Sequence, residues 1–200
     1  MSFRKEEKLH IHESQLLNLL NWIFDNKGYQ IYNSRIVSST YFDNENMQMY
    51  KDSEEGCSPR KKVRIRSYSK NPHRSNQSRL EIKTSAVEGR FKTSEKISNI
   101  SKYFSLGFFD EDYGVCHPKV RVTYQRDYYK VHKVRVTIDK KIEYKQLNPR
   151  GNAIFKINDP DIVVEIKAED NVPIEYIYNK FQFNRVRFSK YSRAINSFSL

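Results

Sequence analysis

Cysteine is nearly absent. Cys57 and Cys116 are the only two in 200 residues, and they form no C-x-x-C spacing. That excludes a disulfide scaffold and a zinc ribbon, and it suits a reducing compartment. Long apolar runs are missing as well. No segment approaches the ~20 consecutive apolar residues of a membrane span, and the richest stretch, Leu16 to Phe24, is broken by Asn18 and Asn21. The opening Met-Ser-Phe-Arg-Lys-Glu-Glu-Lys lacks the apolar centre of a signal peptide. A soluble cytoplasmic protein is therefore expected. There is no linker-like composition shift and no low-complexity tract, so residues 1–200 are read as a single domain large enough for a real core. Acidic residues are in deficit, 24 against 36 basic, for a net charge of +12. Such a surplus calls for an anionic partner: nucleic acid, a phosphate-rich metabolite or an acidic membrane surface. Tyrosine (14) and phenylalanine (12) are plentiful, which excludes a compositionally disordered chain.

What is present is a repeated strand pattern. Asp161 to Lys167 reads D-I-V-V-E-I-K. Side chains alternate along a strand, so Glu165 and Lys167 share one face while Ile162, Val164 and Ile166 take the other. The same split recurs along the chain. In Phe3 to His12, Arg4, Glu6, Lys8, His10 and His12 fall on one face. Lys62 to Tyr68 sets Lys62, Arg64 and Arg66 against Val63 and Ile65. Arg79 to Ser85 sets Arg79, Glu81 and Lys83 against Leu80 and Ile82. Val120 to Lys130 places Tyr124 with Arg126, and Lys133 to Asp139 places Lys133, Arg135, Thr137 and Asp139 opposite Val134, Val136 and Ile138. Ile36 to Phe42 is a further strand, and a short one is expected near Ile142 to Leu147. Helices are expected after an N-cap at Ser14, around Met47 to Tyr50, near Phe104 to Phe109, from Pro173 to Phe181 and from Tyr191 to Phe198. A loop is expected at Glu54 to Pro59 and a polar turn at Asn71 to Ser78, and Glu88 to Lys102 is a polar, basic stretch with Lys92 and Lys96.

Two architectures fit that pattern. One is an antiparallel sheet with a solvated charged face. The other is an α+β fold with an antiparallel closed β-barrel whose charged face lines a basic tunnel, with helices packed on the outside. Closure would also remove exposed sheet edges. Two like charges ~4 Å apart repel by about 4 kcal/mol at an effective dielectric near 20. Gathering Arg64, Arg66, Lys83, Arg126, Arg135 and Lys167 in one lumen thus calls for an anion. Phosphates suit it: Arg holds their oxygens bidentately and Lys adds point charge. Glu6, Glu81 and Glu165 would balance part of the charge or bind a divalent cation that also takes phosphate oxygens.

These residues resemble a known family. F-R-K-E-E-K at 3–8 resembles the first strand of the VTC domain, the polyphosphate polymerase module of the triphosphate tunnel metalloenzymes. S-S-T-Y-F-D (38–43), V-R-I-R (63–66), L-E-I-K (80–83), Y-Q-R (124–126), V-R-V-T-I-D (134–139), V-V-E-I-K (163–167) and F-S-K-Y-S-R-A-I (188–195) follow in that family's order. The resemblance implies a barrel of about eight strands. It implies transfer of the ATP γ-phosphate to a growing polyphosphate, assisted by Mn²⁺ or Mg²⁺. It implies that Lys8, Arg64, Arg66, Lys83, Arg126, Arg135, Ser189 and Lys190 meet phosphate and that Glu165, with Glu6, holds the metal. Lys92 is the first choice for a further basic residue and Lys96 the second; Lys167 and Tyr124 complete the expected substrate-binding set. The partners implied are ATP or triphosphate and polyphosphate, and no nucleic acid is expected. Family members that attach a membrane segment differ from this chain, and any membrane link would need a partner not encoded here. Related hydrolases carry an E-x-E-x-K first strand, whereas Arg4 stands in place of the first Glu. That favours polymerase over tripolyphosphatase or nucleoside triphosphatase.

Other signals are weaker. His10 and His12 have the spacing of a transition-metal pair on a strand, but no third ligand is evident. Tyr128, Tyr129, Tyr176 and Tyr178 are read as packing residues rather than base-stacking platforms. A Ser189–Lys190 dyad is rejected, because neighbouring strand residues face opposite ways. A non-catalytic polyphosphate- or nucleic-acid-binding module is the alternative from another class. A nucleic-acid surface would concentrate bases in loops or along a helix, whereas here they alternate with aliphatics inside strands.

Overall fold

The computed structural model describes residues 4–69, 78–169, 172–173, 185–186 and 188–199. In chain order the elements are β1 (Arg4–Ile11), α1 (Glu13–Asp25), β2 (Tyr29–Asp43), α2 (Gln48–Glu55), β3 (Arg60–Ser67), β4 (Arg79–Ala86), β5 (Gly89–Lys96), α3 (Ile100–Leu106), β6 (Phe108–Asp110), β7 (Gly114–Val131), β8 (Val134–Leu147), β9 (Ala153–Asp159), β10 (Ile162–Glu169) and α4 (Lys190–Phe198). All but Ser78 of the turn expected at Asn71 to Ser78, and all but Pro173 of the helix expected from Pro173 to Phe181 with Tyr176 and Tyr178, lie outside the described residues.

Strands run in the order β1-β10-β8-β7-β2-β3-β4-β5, with β6 beside β7 and β9 beside β8. The registers are antiparallel, as expected of an α+β fold. The closed barrel is not found. The strand path is open, and among the described residues no pairing joins its ends, β1 and β5. No described helix is long and apolar enough to cross a membrane. The chain clusters into two compact units: Met1–Arg35 with Tyr124–Ile142 and Asp159–Phe188, and Ile36–Thr123 with Glu143–Asn158 and Ser189–Leu200.

In the first unit, β1, β10 and β8 pair so that Leu9 meets Val164 and Val164 meets Ile138. The apolar faces read from the sequence form one core of Leu9, Ile11, Val134, Val136, Ile138, Ile162, Val164 and Ile166, capped by Leu19 and Ile23 of α1. Leucine and isoleucine at helical spacing give α1 its buried stripe. Its N-cap is His12 rather than Ser14. The His12 N–H donates to Gln15 Oε1 (3.0 Å), and the Gln15 N–H donates back to the His12 carbonyl (2.9 Å). Gly28 follows α1, and a Cβ there would lie 2.7 Å from Ile23 Cγ2 and 2.8 Å from Val131 Cγ2, so the chain can pass only without a side chain.

In the second unit, Phe42, Val63, Ile65, Leu80, Ile97, Ile100, Phe104 and Cys116 form the core. Asp43 is fully buried at the end of β2 and organises the next helix. Its carboxylate accepts from the N–H groups of Asn44 (2.8 Å), Met49 (3.0 Å) and Tyr50 (2.9 Å), and from the Tyr191 hydroxyl of α4. Burial nevertheless raises its pKa.

Several strands differ from expectation. β5 lies in the polar, basic stretch where the sequence marks no element: every residue from Arg90 to Lys96 is exposed, so no apolar face signals a strand. β9 is not among the expected strands; only Asp159 of it is buried, so it presents no apolar face to a core. β2, β7 and β8 run longer than the apolar alternation, since their ends carry tyrosine, lysine and asparagine.

Candidate functional site

The first unit gathers charge on the polar face of β1, β10, β8 and β7. Register sets Glu6 opposite Lys167 and Lys167 opposite Arg135, and sets Lys8 opposite Glu165 and Glu165 opposite Thr137. Lys167 Nζ lies 2.6 Å from Glu165 Oε1 and 3.4 Å from Glu6 Oε2. Lys8 Nζ donates to the Phe188 carbonyl (2.8 Å) and stands 3.9 Å from Glu6. Arg126 grips Asp139 with two bonds, from Nε (2.5 Å) and Nη2 (2.7 Å), and its Nη2 is 3.9 Å from Glu165. Tyr124, 2% exposed, lies under that guanidinium at 5.3 Å from ring centroid to Cζ. Burial alone would raise the Glu165 pKa, but Lys167, Arg126 and Lys8 outweigh it and hold the carboxyl far below the usual range. Burial opposes the charge on Arg126. Tyr124, Asp139 and Glu165 outweigh that and fix it as a cation.

Among the described residues no group of three or more His, Cys, Asp or Glu converges to hold a metal. Glu6 and Glu165 do converge, on the Lys167 ammonium. Two carboxylates suit a hard divalent cation that completes its shell with water and phosphate oxygens, and they do not suit a metal that wants nitrogen or sulfur. The His10–His12 pair is not formed. His10 Nε2 meets Asp161 at 2.8 Å, while β1 ends at Ile11 and His12 turns to Ser14 Oγ (3.2 Å).

The second unit presents a basic grid on β3, β4 and β5. Three transverse rows cross these strands: Lys62, Lys83 and Lys92; then Arg64, Glu81 and Ser94; then Arg66, Arg79 and Lys96. One buried carboxylate stands at the centre. Glu81 takes Arg64 on Oε2 (2.8 Å from Nε, 2.6 Å from Nη2) and Lys92 on Oε1 (2.5 Å), with Arg66 at 3.8 Å. Burial would raise the Glu81 pKa, but Arg64, Arg66 and Lys92 bring it down to about 2. Tyr41 on β2 is buried and accepts from Arg64 Nη1 (3.1 Å). Burial would raise its phenol, but Arg64, Arg66 and Lys190 overrule it and lower it to about 8.

The Ser189–Lys190–Tyr191 run starts α4. Ser189 is its N-cap, accepting from the Ser192 N–H (3.3 Å) and from Lys62 Nζ (3.0 Å). Tyr191 stacks on Tyr41 at 5.0 Å between centroids. Lys92 reaches Glu81 and Lys96 lies opposite Arg79, and both are exposed. Lys83 and Arg135 are exposed on their strands.

Sequence reasoning did not single out Asp139, Tyr41, Lys62 or Arg79. Asp139 carried a usable signal, since it shares the charged face with Arg135 and Thr137. Tyr41 and Lys62 gain their roles from cross-strand and helix contacts that a single strand cannot reveal.

The family model of the VTC domain matches residues 3–114 and 105–199. No curated protein matches the chain. Among solved structures, a proposed adenylate cyclase from Bacillus halodurans shares 13% identity over 98% of this chain and 97% of that chain, with a TM-score of 0.64. A conserved protein from Pyrococcus furiosus shares 14% over 94% and 98%, with a TM-score of 0.56. A proposed adenylyl cyclase from Hippeastrum, described as having a dominant triphosphatase activity, shares 16% over 98% and 96%, with a TM-score of 0.53. At these identities the likeness is one of fold.

Proposed function

The chain belongs to the VTC domain family, and from that membership we propose that it is a metal-dependent phosphotransferase that moves the γ-phosphate of ATP onto a growing polyphosphate. The observation that carries the proposal is the grid of the second unit, where eight strand residues surround or flank one buried glutamate and seven of those eight are Lys or Arg, the other being Ser94. Such a surface is built for a polyanion with closely spaced charges.

In this reading Arg64, Arg66, Lys83 and Lys92 hold phosphate oxygens, joined by Ser189 and Lys190 at the start of α4. Lys8, Arg126, Arg135 and Lys167 do the same on the first unit. Asp139 and Tyr124 fix the Arg126 guanidinium, leaving its remaining N–H groups to point at substrate. Glu165, with Glu6, would hold Mn²⁺ or Mg²⁺, which would neutralise phosphate charge and polarise the transferred group. Lys167 then exchanges its carboxylate partners for phosphate. Phosphoryl transfer needs little covalent chemistry from the protein, and positioning with charge stabilisation suffices.

Purified protein incubated with ATP and Mn²⁺, with products resolved by ³¹P NMR, tests this. Mid-chain phosphate signals growing with ADP are expected. Orthophosphate with ADP and no chains would instead establish a triphosphatase, the reading that the Hippeastrum neighbour's activity favours. Tight polyphosphate binding without turnover would make the protein a receptor.

Two smaller effects follow. Lys92→Ala is expected to raise the KM for ATP about tenfold, ~1.4 kcal/mol, and Lys96→Ala by less than about twofold; steady-state kinetics of both variants separates them. Tyr41 titrates near pH 8. Above that pH its phenolate competes with phosphate for Arg64, so triphosphate affinity should fall about threefold between neutral pH and roughly pH 10 beyond the trend in Tyr41→Phe. Identical pH profiles in the two proteins would remove Tyr41 from the site.

A further inference from the structure

Tyr128 and Tyr129 are neighbours on β7, and the pleat sends them opposite ways. The sequence reads both as packing residues, and Tyr129 is one: it is 8% exposed and belongs to the first unit's core with Val131 and Val136. Tyr128 instead shares the face of Tyr124 and Arg126. There it meets Tyr32 of β2 edge to face, with 5.6 Å between ring centroids. The Arg35 guanidinium lies over both rings, 5.1 Å from the Tyr32 centroid and 5.8 Å from that of Tyr128. All of these residues belong to the first unit. The group does little for the fold. Tyr32 is 52% exposed, and β2 buries nothing from Tyr29 to Arg35. Arg35 is exposed as well, and among the described residues its contacts are the two rings, with no carboxylate beside it. A cation over a ring at an exposed site contributes little stability. Two tyrosine rings and a guanidinium are, however, the groups on which a nucleobase stacks.

The place of the group selects the molecule that carries the base. Tyr128 stands two strand residues, about 7 Å, from Arg126 on the same face. Arg126 Nη2 is in turn 3.9 Å from Glu165, inside the charged cluster of β1, β10, β8 and β7. A ligand that sets a phosphate chain on Arg126 and a flat ring on Tyr128 is a nucleoside triphosphate. Inorganic triphosphate has the first part and lacks the second. We propose that Tyr32, Tyr128 and Arg35 form a platform that stacks the adenine of ATP, so that the protein distinguishes the nucleotide from inorganic triphosphate. This rests on the phosphotransferase reading, which puts the phosphates of ATP at Arg126. The stacking itself does not need turnover.

The test titrates the full chain with ATP and with inorganic triphosphate, without metal so that nothing turns over. The wild type, Tyr32→Ala and Tyr32→Phe are compared, and thermal melting monitors the fold. Tyr32→Ala is expected to bind ATP about tenfold more weakly and inorganic triphosphate as the wild type does. Tyr32→Phe keeps the ring and should keep the affinity for ATP. In ¹H NMR the adenine protons should move upfield on binding to the wild type, the ring-current mark of stacking, and move less with Tyr32→Ala. Equal loss for the two ligands would place Tyr32 in the phosphate site or the fold and overturn the proposal. Unchanged ATP binding in Tyr32→Ala, or adenine protons that do not shift in the wild type, would also overturn it. ATP turnover is read separately. A protein that makes no polyphosphate yet shows the base-dependent loss would refute the phosphotransferase reading alone. One that makes polyphosphate and shows no such loss would refute the platform alone.

Discussion

Glu165→Gln is expected to lower kcat by at least about a thousandfold while the protein still folds. Gln keeps the shape and removes the charge. In the proposed mechanism that charge anchors the metal, so its loss removes stabilisation in the transition state rather than ground-state binding. Affinity for triphosphate should therefore hold or improve, because Lys167, Arg126 and Lys8 lose a competing anion. The side chain is 12% exposed, so the variant leaves a neutral amide among cations, at a cost of about 1–3 kcal/mol. ADP release measured with excess metal, together with thermal melting, checks both parts. Full activity in Glu165→Gln would take Glu165 out of the mechanism. Glu6→Gln should do less, since Glu6 is more exposed and its contacts in the cluster are the Lys8 and Lys167 ammoniums.

Glu81→Gln should act on stability instead. Glu81 is 3% exposed and carries Arg64, Arg66 and Lys92. Removing one partner of such a group typically costs about 3–5 kcal/mol. The pKa gives the same scale. A carboxyl lowered from 4.5 to about 2 contributes about 3 kcal/mol. The sign is that of a depressed acid: the contribution is complete above about pH 4.5, and it drains away as pH falls toward about 2. A melting temperature lower by roughly 6–20 °C at neutral pH follows for a chain of this length. Triphosphate should restore much of the loss, because phosphate oxygens can replace the missing carboxylate. A variant that melts like the wild type would mean that Glu81 is not the counterion of the grid. One that melts low but ignores triphosphate would deny the grid its ligand.

These expectations show which parts of the molecule could be read in one dimension. The D-I-V-V-E-I-K segment placed Ile162, Val164 and Ile166 in the core, because alternation is a property of a single strand. The same rule put Arg64 and Arg66 on one face. It could not say that Glu81 sits between them, since that depends on the register of β3 against β4. Nor could it show that Arg126 is held by Asp139, or that Lys62 reaches the cap of α4. β5 was invisible for a different reason. It buries nothing, and only pairing with β4 makes it a strand. The expectation of closure failed on the same ground: local pattern says which face is apolar and is silent on whether the first and last strands meet.

β5 has one more consequence. It ends the strand path, and among the described residues nothing pairs with its outer side. An edge strand's outward N–H and C=O groups invite pairing by a second chain, which would extend the sheet into insoluble aggregates. Arg90, Lys92 and Lys96 stand along that strand, and their mutual repulsion keeps two copies apart. Lys92, which meets phosphate in the proposed mechanism, therefore also guards this edge, and neutralising it by substitution, or saturating it with polyanion, would weaken that protection.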